Sequence, residues 1–255
     1  MDSARDRYGS LPYRNLIAWP DRLRREEPLL QRVLEGAPSR RVLDLGCGTG
    51  EHARFLASLG FEPTGLDASE AQLAAAREAD PGGRYLQSSL ADLGGLEDAG
   101  FGGALCLGNT LPHLTEEADL HRCFEGLADL LLPGGVVLLQ TLNYDRILGR
   151  GERTFPVLVR PGEEEGSETV FLRLMTPHRD GRVTFTPATL RWRPGAEPPL
   201  ELVAAEEVPL RGWRCSEVEA HLRASGFEVR EVLGSMTCEV WSPASSDLVV
   251  VAVRS

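Results

Sequence analysis

Val42-Leu43-Asp44-Leu45-Gly46-Cys47-Gly48-Thr49-Gly50 is the stretch on which the rest of the chain turns. Residues 41–45 read as a strand, and the three glycines behind it as a tight turn into a helix. Glycine lets the backbone reverse sharply and lets a ligand lie directly against it, at the carboxyl edge where open α/β sheets bind ligands. Counting on from Gly46 and Gly48, the dinucleotide-binding pattern would place its third glycine where this chain has Glu51. A carboxylate at the start of that helix repels a pyrophosphate, so the loop is predicted to hold a ligand with no phosphate there.

Working outward from the loop, the chain alternates regularly. Strand 41–45, helix 51–59, strand 62–66, helix 69–78 and strand 84–87 are followed by strand 104–107, helix 116–131 and strand 135–142, the last two separated by a turn at Pro133-Gly134-Gly135. Such alternation predicts a parallel sheet with crossover helices. Upstream, residues 19–34 read as an amphipathic helix with Leu23, Leu30, Val33 and Leu34 on one face, stopped by Gly36 and Pro38. Beyond Asn143 the rhythm breaks. Residues 169–175, 182–193 and 200–210 are rich in β-branched and aromatic types and are joined by Arg179-Asp180-Gly181 and Pro194-Gly195-Ala196, the mark of antiparallel strands. Helix 216–225 and strands 227–233 and 247–253 then resume the first pattern.

The predicted fold is therefore α/β: a seven-stranded, mostly parallel Rossmann-like sheet with helices on both faces and an antiparallel β insertion after strand five. Four segments are expected: an N-terminal helical lid (1–40), a ligand-binding core (41–150), a β insertion or lid (151–212), and a C-terminal helix and strands that complete the core sheet (213–255).

Composition narrows the function. The formal net charge of -11 argues against a nucleic-acid partner, because backbone binding needs clustered positive charge. All 27 basic residues are arginine, which removes lysine Schiff-base chemistry and a phosphate-loop lysine. No apolar stretch approaches the roughly 20 residues of a membrane span, and residues 1–10 have no apolar core of a leader, so a soluble, cytoplasmic protein is expected. The five cysteines make no CxxC pair and predict neither a disulfide framework nor a metal site.

Two acids sharpen the ligand. Asp44, just before the turn, can act on a ligand's ammonium group. Asp67, with Ala68 beside it at the end of the second strand, either accepts hydrogen bonds from a ribose diol, caps the following helix, or does both. With Leu132-Pro133-Gly134-Gly135, these residues resemble the class I S-adenosylmethionine-dependent methyltransferases over residues 41–142 and the last two strands. Cys106-Leu107-Gly108-Asn109-Thr110-Leu111-Pro112-His113-Leu114 and Asn143-Tyr144-Asp145-Arg146-Ile147-Leu148 resemble the glycine N-methyltransferase group more narrowly.

The resemblance implies S-adenosylmethionine as cofactor, held by Asp44, Gly46, Cys47, Gly48, Gly50, Asp67, Ala68, Leu107 and Thr110, and a small-molecule acceptor. Asn109, His113, Asn143 and Tyr144 are expected on the acceptor side; His113 either supports its loop or faces the pocket. Arg22 matches an arginine that grips the cofactor's carboxylate, a task suited to its planar fork, unless it is one solvated charge of an arginine-rich helix. Tyr13 and Trp19 either close over the pocket or pack as ordinary aromatics.

Two departures stand out. Where an acid or asparagine usually meets adenine, this chain has Ser88-Ser89-Leu90, which leaves Ser89 and Leu90 for that contact. Where the glycine N-methyltransferases place an arginine for the substrate carboxylate, it has Leu142. The expected reaction is methyl transfer to a small molecule, at nitrogen first. Oxygen methylation and a non-catalytic, S-adenosylmethionine-binding regulatory protein stand as alternatives.

Overall fold

In the computed structural model, which describes residues 17–96, 98–162 and 164–255, the chain opens on helix α1 (Trp19–Glu35) and then alternates. The order is β1 (Arg41–Leu45), α2 (Glu51–Ser58), β2 (Glu62–Asp67), α3 (Glu70–Ala79), β3 (Arg84–Gln87), β4 (Phe101–Cys106), α4 (Glu117–Leu130) and β5 (Leu131–Leu142). Short 3-10 turns at Leu90–Gly95 and Leu111–His113 flank β4. After β5 come α5 (Tyr144–Arg150), β6 (Leu158–Pro161), β7 (Glu168–Pro177), β8 (Arg182–Trp192), β9 (Leu200–Ala205) and β10 (Val208–Arg211). The chain closes with α6 (Cys215–Ala224), β11 (Phe227–Leu233) and β12 (Asp247–Arg254).

Seven strands form one sheet in the order β11-β12-β5-β4-β1-β2-β3. The five strands from β5 to β3 run parallel, whereas β12 pairs antiparallel with both β5 and β11. Neighbouring residues of β1, β4, β5 and β12 point to opposite faces. Leu43, Leu45, Cys106, Val137 and Val250 meet α4 and α6, while Val42, Leu105, Leu138 and Val249 meet α1 and α2. Both faces are dry, which is why these strands read as near-continuous apolar runs. The chain order reverses between β1 and β4, and the crevice beyond their carboxyl ends is where such a sheet binds a ligand.

Helix α1 forms because Pro20 suits a first helical turn and Glu26, Leu29, Leu30, Val33 and Leu34 fall on one stripe. Leu29 and Leu30 are fully buried, worth about 1.5–3 kcal/mol each. That stripe clamps the N-terminal helix onto the sheet beside the glycine loop.

Some expectations are corrected. Pro133-Gly134-Gly135 does not separate helix from strand: α4 passes directly into β5, and residues 132–135 form an irregularity opposite Gly102, between the pairings Phe101–Leu131 and Gly103–Val136. Proline contributes no N–H, and Gly134 takes a positive φ of 78°, so the segment bulges without breaking the strand. The expected strand 200–210 is two strands, β9 and β10, which pair with successive parts of β8. Helix α5 and strand β6 were not foreseen. The inserted strands β6–β10 form a sheet of their own, and its inner face (Met175, Val183, Phe185, Val208, Leu210) packs on Tyr144 and Ile147 of α5.

Candidate cofactor and acceptor site

The glycine loop is built from the backbone outward. Gly46 has φ +70°, and a Cβ there would sit 2.3 Å from Thr110 Cγ2, so any side chain would collide with the β4 exit. Gly50, the N-cap of α2 with φ +81°, is crowded by the hydroxyl of buried Tyr85, which a Cβ would meet at 2.7 Å. Three successive N–H groups of this loop point inward: Gly46 and Cys47 donate to the Leu66 carbonyl at 2.7 and 2.9 Å, and Gly48 donates to Asp67 Oδ2 at 2.9 Å. Phosphate-binding loops keep such donors open for the ligand. Here they are spent on β2, which agrees with a ligand that brings no phosphate to the loop.

Asp67 therefore has a structural duty beside any ligand. Its other oxygen accepts from Ser69 N at 2.9 Å, while the side chain of Ser69 itself caps α3. Two lone pairs per carboxylate oxygen leave further acceptor capacity toward the crevice. Cys47 is packed into the core, where burial pushes its thiol far up; it lines the loop as a small apolar group. Ala68 supplies its carbonyl to Gln87 Nε2 at 3.1 Å. Ser89 caps the 3-10 turn that begins at Leu90, accepting from Ala91 N at 3.2 Å and keeping its hydroxyl proton to donate.

Asp44 is the decisive group. It is 2% exposed, and its Oδ2 has no hydrogen-bond partner among the described residues. Burial, reinforced by the neighbouring charge of Asp67, raises its carboxyl to about 6, with His52 and Arg22 opposing. A buried carboxylate oxygen without a donor costs free energy in this state and is poised for a cation. Arg22 supplies the opposite sign. Its Nε is held by Glu26, and its terminal nitrogens, without a partner among the described residues, approach Gly108, where a Cβ would lie 3.8 and 4.0 Å from Nη2 and Nη1. Asp44 on β1 and Arg22 on α1 are near enough for the arginine's charge to act on the acid, and an acid beside a guanidinium fits a zwitterionic amino-acid end.

At the β4 exit, Leu107 is buried and its carbonyl accepts from Thr110 Oγ1 at 2.7 Å. Gly108 N donates to Gln140 Oε1 at 2.8 Å, and Gln140 Nε2 donates to Asp247 Oδ1 at 2.9 Å. Asn109 sits at φ +68°, which asparagine tolerates better than most residues. Its Oδ1 accepts from Leu142 N at 3.1 Å, and its Nδ2 lies 3.2 Å from Tyr144 Oη, tying the exits of β4 and β5 together. His113 closes the adjacent 3-10 turn, half-buried.

Two acceptor-side expectations need correction. Asn143 is fully buried and its amide is committed. Oδ1 caps α5 by accepting from Asp145 N (3.1 Å) and Arg146 N (3.4 Å), while Nδ2 donates to the carbonyls of Ser242 (3.1 Å) and Ser245 (3.0 Å). It has nothing left to orient an acceptor. Tyr144 is also fully buried, its hydroxyl engaged with Asn109, so it supports the pocket wall and does not line it. Trp19 meets His52 edge-on at 5.4 Å and stacks under Arg22. Tyr13 lies outside the described residues.

Glu26, His52, Gln140 and Asp247 were missed from the sequence. Glu26 was legible, since it continues the buried stripe of α1 one turn before Leu30; Gln140 and Asp247 meet only through pairing of distant strands. Among the described residues no group of three or more His, Cys, Asp or Glu side chains is placed to hold a metal, and no helix is long and apolar enough to cross a membrane.

This sheet order, with a glycine loop after β1 and an acid closing β2, is the class I methyltransferase fold. Residues 42–135 match the family described as Methyltransferase domain. The chain is 34% identical over 140 residues to a glycine/sarcosine N-methyltransferase from Parasynechococcus marenigrum, covering 53% of this chain and 50% of the relative. It is 32% identical over 152 residues to a ubiquinone biosynthesis O-methyltransferase from Alkalilimnicola ehrlichii, covering 52% and 60%. The chain spans about half the length of the curated relatives it matches. Its fold is that of an S-adenosylmethionine-dependent methyltransferase from Clostridium acetobutylicum (TM-score 0.74, 14% identity, 97% and 96% of the chains covered). It is also that of an amino pentose methyltransferase from Micromonospora echinaspora (TM-score 0.72, 23% identity, 95% and 94% covered).

Proposed function

We propose that this chain transfers a methyl group from S-adenosylmethionine to a nitrogen of a small organic acceptor. The observation that carries the reading is the pairing of Asp44 with Arg22, a buried carboxylate oxygen and an arginine fork whose terminal nitrogens, like that oxygen, have no partner among the described residues, close enough for the arginine's charge to act on the acid. In this reading Asp44 holds the cofactor's ammonium, directly or through water, Arg22 its carboxylate and Asp67 its ribose. Ser89 and Leu90 border the adenine, and the Leu107–Thr110 exit lies beside the reacting end.

When bound, S-adenosylmethionine supplies a methyl group already activated on a sulfonium. The chain's own work is to hold the acceptor in line and keep water out, and positioning of that kind contributes roughly 7–11 kcal/mol. A neutral amine requires no dedicated base. Asn109 and His113 are the polar groups proposed to border the acceptor, with α1 and the second sheet as the covers. Similarity to glycine/sarcosine N-methyltransferases supports nitrogen as the target. Oxygen is the second reading, favoured by the ubiquinone biosynthesis O-methyltransferase relative. Five free cysteines support placement in the reducing cytoplasm.

The test is calorimetric titration with S-adenosylhomocysteine, followed by a screen of amines, amino acids, phenols and small acids read by S-adenosylhomocysteine release. Saturable binding and turnover with an amine are expected. Turnover confined to phenols would move the reading to oxygen, and binding without turnover of any acceptor would favour a regulatory protein.

A further inference from the structure

Arg22 reaches the crevice from a helix of the N-terminal segment, and a free arginine side chain has many rotamers to choose from. Here one is selected. Its Nε donates to Glu26 Oε1 at 2.8 Å, and the second oxygen of Glu26 lies 2.7 Å from His52 Nε2 in the first turn of α2, directly behind the glycine loop. Glu26 is 6% exposed and His52 7%. The Arg22 guanidinium also lies over the Trp19 ring, 5.0 Å from its centroid, and that ring in turn abuts His52. With one side against an indole and one nitrogen bound to Glu26, the guanidinium keeps only its terminal nitrogens for a ligand.

A glutamate on the buried stripe of an apolar helix face is costly unless something compensates. Burial pushes the Glu26 carboxyl up, but the hydrogen bond from His52 and the charge of Arg22 outweigh it and leave the carboxyl below its ordinary range. A leucine at this place would pack against the sheet without that cost. The carboxylate earns its position by joining two elements: α1, which carries Arg22, and α2, which carries the glycine loop.

We propose that Glu26 is a positioning residue of the cofactor site, fixing Arg22 against His52 so that the guanidinium is preorganised for the carboxylate of the cofactor's amino-acid end. This rests on the cofactor reading given above. The geometry makes a specific demand: Glu26 matters only to ligands that carry the amino-acid end, and only while Arg22 is present.

The experiment titrates the full chain with S-adenosylhomocysteine and with 5′-methylthioadenosine, which keeps the adenosine and thioether but lacks the amino-acid end. Glu26→Ala is expected to weaken S-adenosylhomocysteine about 3- to 10-fold, the cost of ordering one freed side chain on binding, and to leave methylthioadenosine unchanged. Glu26→Gln is expected to restore binding, since its amide oxygen can accept from Arg22 and its amide N–H can donate to the other tautomer of His52. In an Arg22→Ala background Glu26→Ala should have no further effect. If the alanine variant does not fold, Glu26→Leu fills the space without an acceptor and is read in the same way. Equal weakening of both ligands, additivity with Arg22→Ala, or failure of glutamine to rescue overturns the positioning role. Wild-type protein that binds neither ligand overturns the cofactor reading itself, an outcome distinct from any of these.

Discussion

Asn109 and Tyr144 hold each other across the carboxyl ends of β4 and β5: Asn109 Nδ2 lies 3.2 Å from Tyr144 Oη, which in turn is 3.3 Å from Asn109 Oδ1. The pair fixes the exit loop of β4 against the start of α5, so the proposed cofactor and acceptor sides of the crevice share one clamp. Tyr144→Phe removes only the hydroxyl and strands part of the Asn109 amide, at a cost of about 1–2 kcal/mol in urea unfolding. Turnover with the acceptor found by screening should fall several-fold while S-adenosylhomocysteine affinity stays within a few-fold of wild type. A loss of cofactor affinity equal to the loss of turnover would mean that the clamp serves the cofactor.

The backbone of Asn109 gives a second, independent reading. At φ +68° a side chain with a Cβ is strained unless it can compensate locally, as asparagine does. Asn109→Ala and Asn109→Gly both lose the clamp, but only alanine also bears the strain. Glycine should therefore be the more stable variant, by about 1–2 kcal/mol. Thermal unfolding of the two variants side by side decides it, and equal stability would show that the loop relaxes.

Asp44 predicts a pH dependence of binding. Burial raises its carboxyl from 3.8 to about 6, so the folded chain without cofactor keeps a proton that the unfolded chain gives up. Its ionisation thus costs stability progressively as pH rises from about 4 through 6, reaching about 3 kcal/mol above that window. A ligand ammonium favours the ionised form. Affinity for S-adenosylhomocysteine should fall toward tenfold per pH unit below pH about 6, with proton release on binding near that pH. Asp44→Asn should bind weakly at pH about 8 and lose the Asp44 step in the profile, yet be no less stable than wild type there without cofactor. An unchanged profile in the asparagine variant would remove Asp44 from the ligand.

Asp67 carries a structural and a proposed binding role, and one variant separates them. Asp67→Ala leaves Gly48 N and Ser69 N without their acceptor, which should cost about 1–3 kcal/mol of stability. Loss of the ribose contact should add on the order of 10- to 100-fold in affinity for S-adenosylhomocysteine, measured where the variant is fully folded. Reduced stability with intact affinity would confine Asp67 to the loop.

Glycine and sarcosine should be poor acceptors, although relatives that match this chain are named for them. Leu142, at the end of β5, donates no side-chain hydrogen bond, and a carboxylate buried against it would lose several kcal/mol. The nearby Arg146 is not a ready substitute: its Nε is paired with Glu152 Oε2 at 2.8 Å. Steady-state assays at millimolar amino acid check this. Efficient, saturable methylation of glycine would point to a replacement clamp, with Arg146 the first residue to substitute.

The sequence by itself determined the parallel sheet, the glycine loop, the place of Asp44 and Asp67 at strand ends, and the return to the core after the insertion. These are local facts: a turn that needs glycine, an apolar run between helical periods, and an acid at a fixed place in a strand are all written in contiguous residues. Tertiary structure alone decided which polar groups remain open. Asn143 and Asp44 look alike in sequence as polar residues beside a turn, yet Asn143 is consumed by a helix cap and the carbonyls of Ser242 and Ser245, whereas Asp44 keeps an oxygen without a donor among the described residues. Which of them meets hydrogen-bond partners depends on chain segments about a hundred residues away, and long-range pairing of that kind leaves no periodic signal in the chain. The same holds in part for Glu26: its helical stripe announces burial and its partner Arg22 stands one turn earlier on the same helix, but its second partner, His52, appears only when α1 is laid across the first turn of α2.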